Sequence, residues 1–224
     1  MTEEVDLKHY RIMFVCHGNI CRSPMAELIF RKMVEEAGLS ASFTVASSAT
    51  STEEIFCGVG NPVYPPARAE LAKHGISADG KRAVQLTRED LSRYDLFVGM
   101  DSANLRNMHR ILGSGAEGRI RRLMDYTAHG GDVADPWYTG RFDVTFRDVE
   151  EGCRALLKTF LQNEAGIDKN FVLWYNSRWK WSEDPVSEYG GWIRLRVRPV
   201  QKSVFSLSVD RTLLSFCQKE EKLL

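Results

Sequence analysis

The chain has no long apolar run, no excess of either charge, few prolines and too few cysteines for a disulfide framework. No stretch approaches the roughly 20 apolar residues that cross a bilayer, so no membrane association is expected. Lysine plus arginine and aspartate plus glutamate number 30 each. A net charge of zero leaves no global field to favour nucleic acid or an anionic lipid surface. Five cysteines, an odd number without the spacing of secreted domains, fit reduced thiols and a cytoplasmic protein. None of their spacings matches a zinc site, and neither a metal nor another cofactor is expected. The opening Met1-Thr2-Glu3-Glu4-Val5-Asp6 is acidic and lacks the basic start and apolar centre of a signal peptide. Internal repeats and low-complexity tracts are absent. What is there is ordinary for a globular protein, with 43% hydrophobic and 27% charged residues. Its 224 residues suffice for one substantial core and a small appendage.

Strand and helix signals alternate over the first 162 residues. Arg11-Ile12-Met13-Phe14-Val15 is a β-prone apolar run. A helix follows from about Met25 to Ala37, with Leu28, Ile29, Met33 and Val34 on one face and Gly38 as its stop. Phe43 to Ala46 is a second strand, and residues 47–65 form a long loop rich in Ser, Thr, Gly and Pro. A short helix spans Ala67 to His74, and Thr87 caps another helical start. Tyr94 to Val98 is a third strand, Asp101 caps a helix to about Ile111, and Ile120 to Met124 is a short fourth strand. A second long loop, 125–143, holds Asp135-Pro136-Trp137-Tyr138. A helix from about Thr145 to Leu161 closes the unit, burying Val149, Cys153, Leu156, Leu157 and Phe160. The alternation predicts an α/β fold, a four-stranded parallel sheet flanked by helices on both faces. Ligands of such sheets bind beyond the carboxyl ends of the strands.

The densest chemistry stands at that end of the first strand, in Cys16-His17-Gly18-Asn19-Ile20-Cys21-Arg22-Ser23-Pro24. A free cysteine is mostly protonated at neutral pH, and its pKa falls where backbone N–H groups and a helix N-terminus face it. Cys16 faces both at a strand-to-helix turn. The N–H groups of residues 17 to 22, curled inward, suit the oxygens of a phosphoryl group. Gly18 frees the backbone for a turn that side chains forbid, and Asn19 tolerates a left-handed conformation. Arg22 offers a planar fork for two phosphoryl oxygens. Ser23 can donate to the Cys16 sulfur and ease its departure. The plain alternative is a small buried cysteine and a solvated arginine; the full run, with glycine, asparagine, serine and proline all in place, favours catalysis. Aryl phosphate cleavage also needs a proton donor for the leaving oxygen and then a base for water, and one carboxyl group can serve both steps. Asp135 is the candidate, although Asp-Pro by itself can simply start a turn. Of Trp137 and Tyr138, one is expected at the rim of the cleft, where a flat ring can stack on a substrate ring. Asp101 is first of all a helix cap.

The chain resembles the low-molecular-weight protein tyrosine phosphatases over roughly residues 10 to 162. The likeness runs through Phe14 to Glu27, Ser47-Ser48-Ala49-Thr50-Ser51, Gly60-Asn61-Pro62, Lys73-His74-Gly75, Met100 to Leu105 and Asp135 to Tyr138. The resemblance implies a phosphocysteine intermediate, no metal, Asp135 as the acid, and Ser47 and His74 bracing Asn19 by hydrogen bonds. It implies a phosphotyrosine protein or a small aryl phosphate as partner, and nothing about oligomeric state. The loop after Ser51 is about four residues longer than in common bacterial members, and Glu53, at the rim, stands where vertebrate members carry an aromatic. Cys21 has two readings, a buried thiol or a partner that shields Cys16 in a reversible disulfide.

Three rivals share parts of this pattern. A protein arginine phosphatase branch carries Thr where this chain has Ile20. An arsenate reductase of the same fold needs a cysteine relay, but residues 76–110 contain no cysteine, and Cys57, Cys153 and Cys217 do not fit one. A phosphoprotein-binding module would have lost the nucleophile or the acid, and both are here. Beyond residue 162 the family pattern stops. Residues 163–224 hold four of the five tryptophans and strand-like runs at 171–175 and 192–197. This extension is expected to be a small β-rich appendage or partly disordered, and no function is assigned to it.

Overall fold

In the computed structural model, residues 8–163 are described. The first apolar run becomes β1 (Tyr10–Cys16) and leads through one loop into α1 (Arg22–Glu36) and then β2 (Phe43–Ala49). Two very short strands follow, β3 (Ile55–Phe56) and β4 (Val59–Gly60), before α2 (Pro65–Lys73). Then come β5 (Leu96–Gly99), α3 (Ser102–Leu112), β6 (Ile120–Arg122), α4 (Pro136–Thr139) and α5 (Phe142–Asn163). The main sheet has the order β2-β1-β5-β6, and every neighbouring pair is parallel. This is the expected four-stranded parallel sheet. The chain moves from β1 to one side for β2 and to the other for β5, so the direction of winding reverses at β1. A crevice opens at such a reversal, and Cys16 ends the strand that borders it.

Parallel strands covered on both faces must be apolar throughout, and Ile12 to Cys16 are all buried. On one face Ile12 and Phe14 pack with Met25, Ile29, Phe30 and Met33 of α1 and with Val149, Cys153, Leu156 and Leu157 of α5. On the other, Met13 and Val15 pack with Phe97, Met108 and Leu112. Leu28, expected on the buried face of α1, is only half-buried, while Met25, Ala26 and Phe30 are fully enclosed. The helix is sandwiched between the sheet and α5, so more than one face is covered.

Several boundaries differ from the sequence reading for identifiable reasons. α1 begins at Arg22, three residues early, because Pro24 lies in its first turn, where no N–H is needed. β2 runs on to Ala49, because β1 continues to Cys16 and pairs it with Ala49. Ser47 therefore sits on a strand, not in a loop. The expected 47–65 loop also contains the antiparallel β3–β4 hairpin. Its turn places Cys57 at φ 48° and Gly58 at φ 77°, the pair of positive φ values of a tight hairpin turn. Thr87 stands at the anticipated N-cap, with the Asp90 carboxylate accepting from its N–H at 2.9 Å, but on a single five-residue 3-10 turn, Arg88–Ser92. The 125–143 loop contains α4, with Asp135 as its cap. Among the described residues no helix is long and apolar enough to cross a membrane. The expected extension, 163–224, lies outside the described residues apart from Asn163, which ends α5.

Candidate active site

A cleft of about 260 Å³ opens at the end of β1. Its floor is Cys16 with the loop that follows, and Arg22 and Asp135 reach into it. Trp137, Tyr138, Glu53 and Glu54 form its walls. Cys16 is nearly enclosed. The backbone N–H of Asn19 donates to its sulfur at 3.3 Å, and the Ser23 hydroxyl lies 3.0 Å from it. No side chain caps the start of α1, so its first-turn N–H groups are left without a side-chain capping partner.

Asn19 holds this loop in shape. It is fully buried and left-handed at φ 55°. Its amide donates to Ser23 Oγ at 2.8 Å and to Ser47 Oγ at 2.7 Å, and its carbonyl accepts from the Val84 N–H at 3.0 Å. The conformational freedom expected of Gly18 is thus used by Asn19 instead. Gly18 has no positive φ; what it supplies is space, since a Cβ there would stand 2.9 Å from Glu54 Cγ. His74 does not brace Asn19. Its ring is exposed and stacks on Phe146 at 3.7 Å between centroids, because the end of α2 faces α5.

Arg22 is buried and doubly paired. One Nη donates to Asp101 Oδ2 at 2.6 Å and to the Val133 carbonyl at 3.3 Å; the other donates to Asp135. Burial opposes the guanidinium charge, but Cys16, Asp135 and Asp101 outweigh it and hold Arg22 more firmly protonated than an ordinary arginine. Asp101 is therefore both the cap of α3, accepting from the Asn104 N–H at 2.6 Å, and an orienter of Arg22. Asp135 caps α4 through the Trp137 N–H at 3.0 Å. Its loop is anchored by Val133 N–H on the Met100 carbonyl at 2.8 Å and by Thr145 Oγ1 on the Ala134 carbonyl at 3.1 Å. Both aromatic neighbours are exposed, Trp137 at 61% and Tyr138 at 86%. The expectation of one at the rim understated this, since a four-residue helix turns both rings outward. Burial pushes the Cys21 thiol up to about 12, with the Cys16 and Asp135 charges adding to it, and both Cys16 and Cys21 are free.

Residues 11–166 match the family model for low molecular weight phosphotyrosine protein phosphatase. The chain belongs to this family. A low molecular weight protein-tyrosine-phosphatase of Bacillus subtilis, YfkJ, is 37% identical over 148 residues, 65% of this chain and 92% of the relative. A low molecular weight phosphotyrosine protein phosphatase of Schizosaccharomyces pombe is 40% identical over 159 residues, 70% of this chain and 95% of the relative. The crystal structure of YfkJ superposes with a TM-score of 0.66 at 34% identity, covering 71% of this chain and 99% of that one. The arginine phosphatase YwlE, in a mutant form with a phosphorylated active-site serine, is also similar, with a TM-score of 0.58 at 28% identity over 70% of this chain and 99% of that one.

In this low molecular weight phosphatase the sequence reading missed a buried brace. Glu27, one turn into α1, is 3% exposed. Its carboxylate accepts from Ser47 Oγ at 2.6 Å and pairs with Arg31 at 2.7 Å and Lys81 at 2.8 Å. Lys81 also donates to the Ser47 carbonyl at 3.4 Å. The chain of contacts runs from Lys81 through Glu27 and Ser47 to Asn19 and Ser23. The only local trace was the Glu27–Arg31 spacing of one helical turn, which is equally common on solvated faces.

Proposed function

We propose that the protein is a metal-independent phosphatase that hydrolyses phosphotyrosine through a phosphocysteine on Cys16. We further propose that the catalytic domain spans residues 1–162, followed by the extension at 163–224, and that it works in the cytoplasm, where a nucleophilic thiol stays reduced. The observation that carries the reading is the convergence of Cys16, Arg22 and Asp135 in one cleft.

In the first step the Cys16 sulfur attacks phosphorus, and Arg22 with the N–H groups of residues 17 to 22 takes up the equatorial oxygens. The phosphoryl oxygens take over the guanidinium face that Asp135 contacts, which releases this carboxylate to take up a proton from solvent. Cys16 attacks as the thiolate, and Asp135, once protonated, gives its proton to the departing phenolic oxygen as the P–O bond breaks. In the second step the same carboxylate removes a proton from water, the water oxygen attacks phosphorus, and the sulfur leaves with the Ser23 hydroxyl donating to it. Asn19 and Ser47 keep the loop in position. Exposed Trp137 and Tyr138 give a phenyl ring two flat walls, and the apolar Ile20 favours an aryl over a guanidinium leaving group.

The test is the leaving-group dependence of Asp135→Ala. It should slow aryl esters with basic leaving groups far more than activated ones, because only the former need the proton. Equal slowing of both classes contradicts the acid assignment. Cys16→Ser should abolish turnover and retain binding. Dominant turnover of phosphoarginine by the parent enzyme would replace phosphotyrosine as the substrate class.

A further inference from the structure

We propose that one rim of the cleft, with the hairpin that continues from it, is a docking edge for a polypeptide substrate. The substrate it fits carries a lysine or arginine beside the phosphotyrosine and an apolar residue about three positions away. The proposal rests on the phosphotyrosine reading above and names the substrate class of the same site.

The rim nearest the hairpin is acidic. Glu53 Oε2 is held 2.9 Å from His17 Nε2 at the mouth of the cleft. The Glu53 side chain is 71% exposed, and its second oxygen has no partner among the described residues. Glu54 follows, fixed by the Asn61 amide at 2.8 Å. A substrate chain leaving the cleft on this side meets two carboxylates, a setting that favours a cation and disfavours an acidic neighbour.

The next residues turn the rim into a ledge. Phe56 and Val59 are directly opposite each other in the β3–β4 hairpin and so project from one face of it. Both are exposed, at 78% and 59%. The ledge is firmly seated: the Asn61 N–H bonds the Glu54 carbonyl at 2.7 Å, and Arg82 bonds the Gly60 carbonyl at 3.0 Å. At Gly60 a Cβ would stand 1.9 Å from the Ala83 carbonyl oxygen, so the hairpin backbone lies directly on its support. An apolar pair presented on a rigid hairpin is surface that gains from being covered. Its occupant is the substrate chain, because the strand that bears Phe56 starts immediately after two residues that line the cleft. From Glu53 to Phe56 is at most about 10 Å, the span of three extended residues, which sets the spacing on the substrate.

The experiment compares kcat/KM of the full chain on four substrates. Three are phosphotyrosine peptides: one with a lysine neighbour and a leucine three residues on, one with the lysine replaced by glutamate, and one with the leucine replaced by serine. The fourth is free phosphotyrosine. The lysine peptide is expected to exceed the glutamate peptide by about fivefold, the scale of an exposed ion pair. Glu53→Lys should reverse that order. The Phe56→Ser/Val59→Ser variant should lose the preference for leucine over serine while keeping that for lysine over glutamate. Both readouts are ratios within one enzyme preparation, so they do not depend on how much of a variant folds. Equal kcat/KM for all three peptides in the parent enzyme overturns the docking edge; if free phosphotyrosine is still hydrolysed, the underlying activity stands. Failure on every phosphotyrosine substrate overturns both.

Discussion

Asn19 is the residue on which the loop after Cys16 turns, and replacing it has a calculable cost. Asn19→Ala deletes three hydrogen bonds, to Ser23, Ser47 and the Val84 N–H, each worth about 1 kcal/mol net. It also leaves an alanine at φ 55°, where a residue with a Cβ and no local hydrogen bond is disfavoured by about 1 kcal/mol. The sum is about 4 kcal/mol, which lowers Tm by about 10 °C in a domain of this size. Asn19→Gly loses the same bonds but not the backbone term, so it should melt roughly 2–4 °C above the alanine variant. In both, kcat should fall by on the order of tenfold to a hundredfold, since Ser23 and the N–H aimed at Cys16 lose their anchor. Thermal melts read by circular dichroism, with turnover of free phosphotyrosine, check all three quantities. If alanine and glycine variants melt together, the left-handed backbone carries no strain; if neither differs from the parent by more than about 2 °C, the loop does not depend on this side chain.

Two further outcomes follow from buried ionisable groups. Burial holds the Cys21 thiol at about 12 when folded, against about 8.5 for a free cysteine. Above the lower value the unfolded chain loses this proton while the folded chain keeps it, so the stabilisation is complete below about 8.5 and drains away as pH rises towards about 12. Urea midpoints across that range should fall more steeply for the parent than for Cys21→Ala, and parallel curves would refute the burial argument. Glu27→Leu strands Lys81 and Ser47, and should cost about 3 kcal/mol, as breaking a buried pair does. Adding Lys81→Met should recover part of that loss, so the double variant is less unstable than the sum of the singles; strict additivity would mean that the two side chains are not coupled.

How much of this was legible in advance varied with the range of the contact involved. β1 was readable because a strand covered on both faces is an unbroken apolar run. β2 was cut short because Ser47, Ser48 and Ala49 have weak strand preference; pairing with β1 as far as Cys16 overrode it. The β3–β4 hairpin went unnoticed because its turn puts a cysteine, Cys57, where asparagine or aspartate is the usual signal. His74 was carried over from a family likeness, but the end of α2 lays its ring on Phe146.

The order of residues along the chain was enough to determine the parallel sheet and the strand-to-helix loop after Cys16. Both depend on neighbours a few positions apart: an apolar run, an asparagine able to turn left-handed, a proline in a helix's first turn. Tertiary structure alone decided which carboxylates meet Arg22, that Glu27 is buried beneath Ser47, and that Phe56 and Val59 stand exposed beyond Glu53. Arg22 is separated from Asp101 by 79 residues and from Asp135 by 113. Contacts of that range leave no imprint on local periodicity, and they come into being only when β1 and β5 are brought side by side.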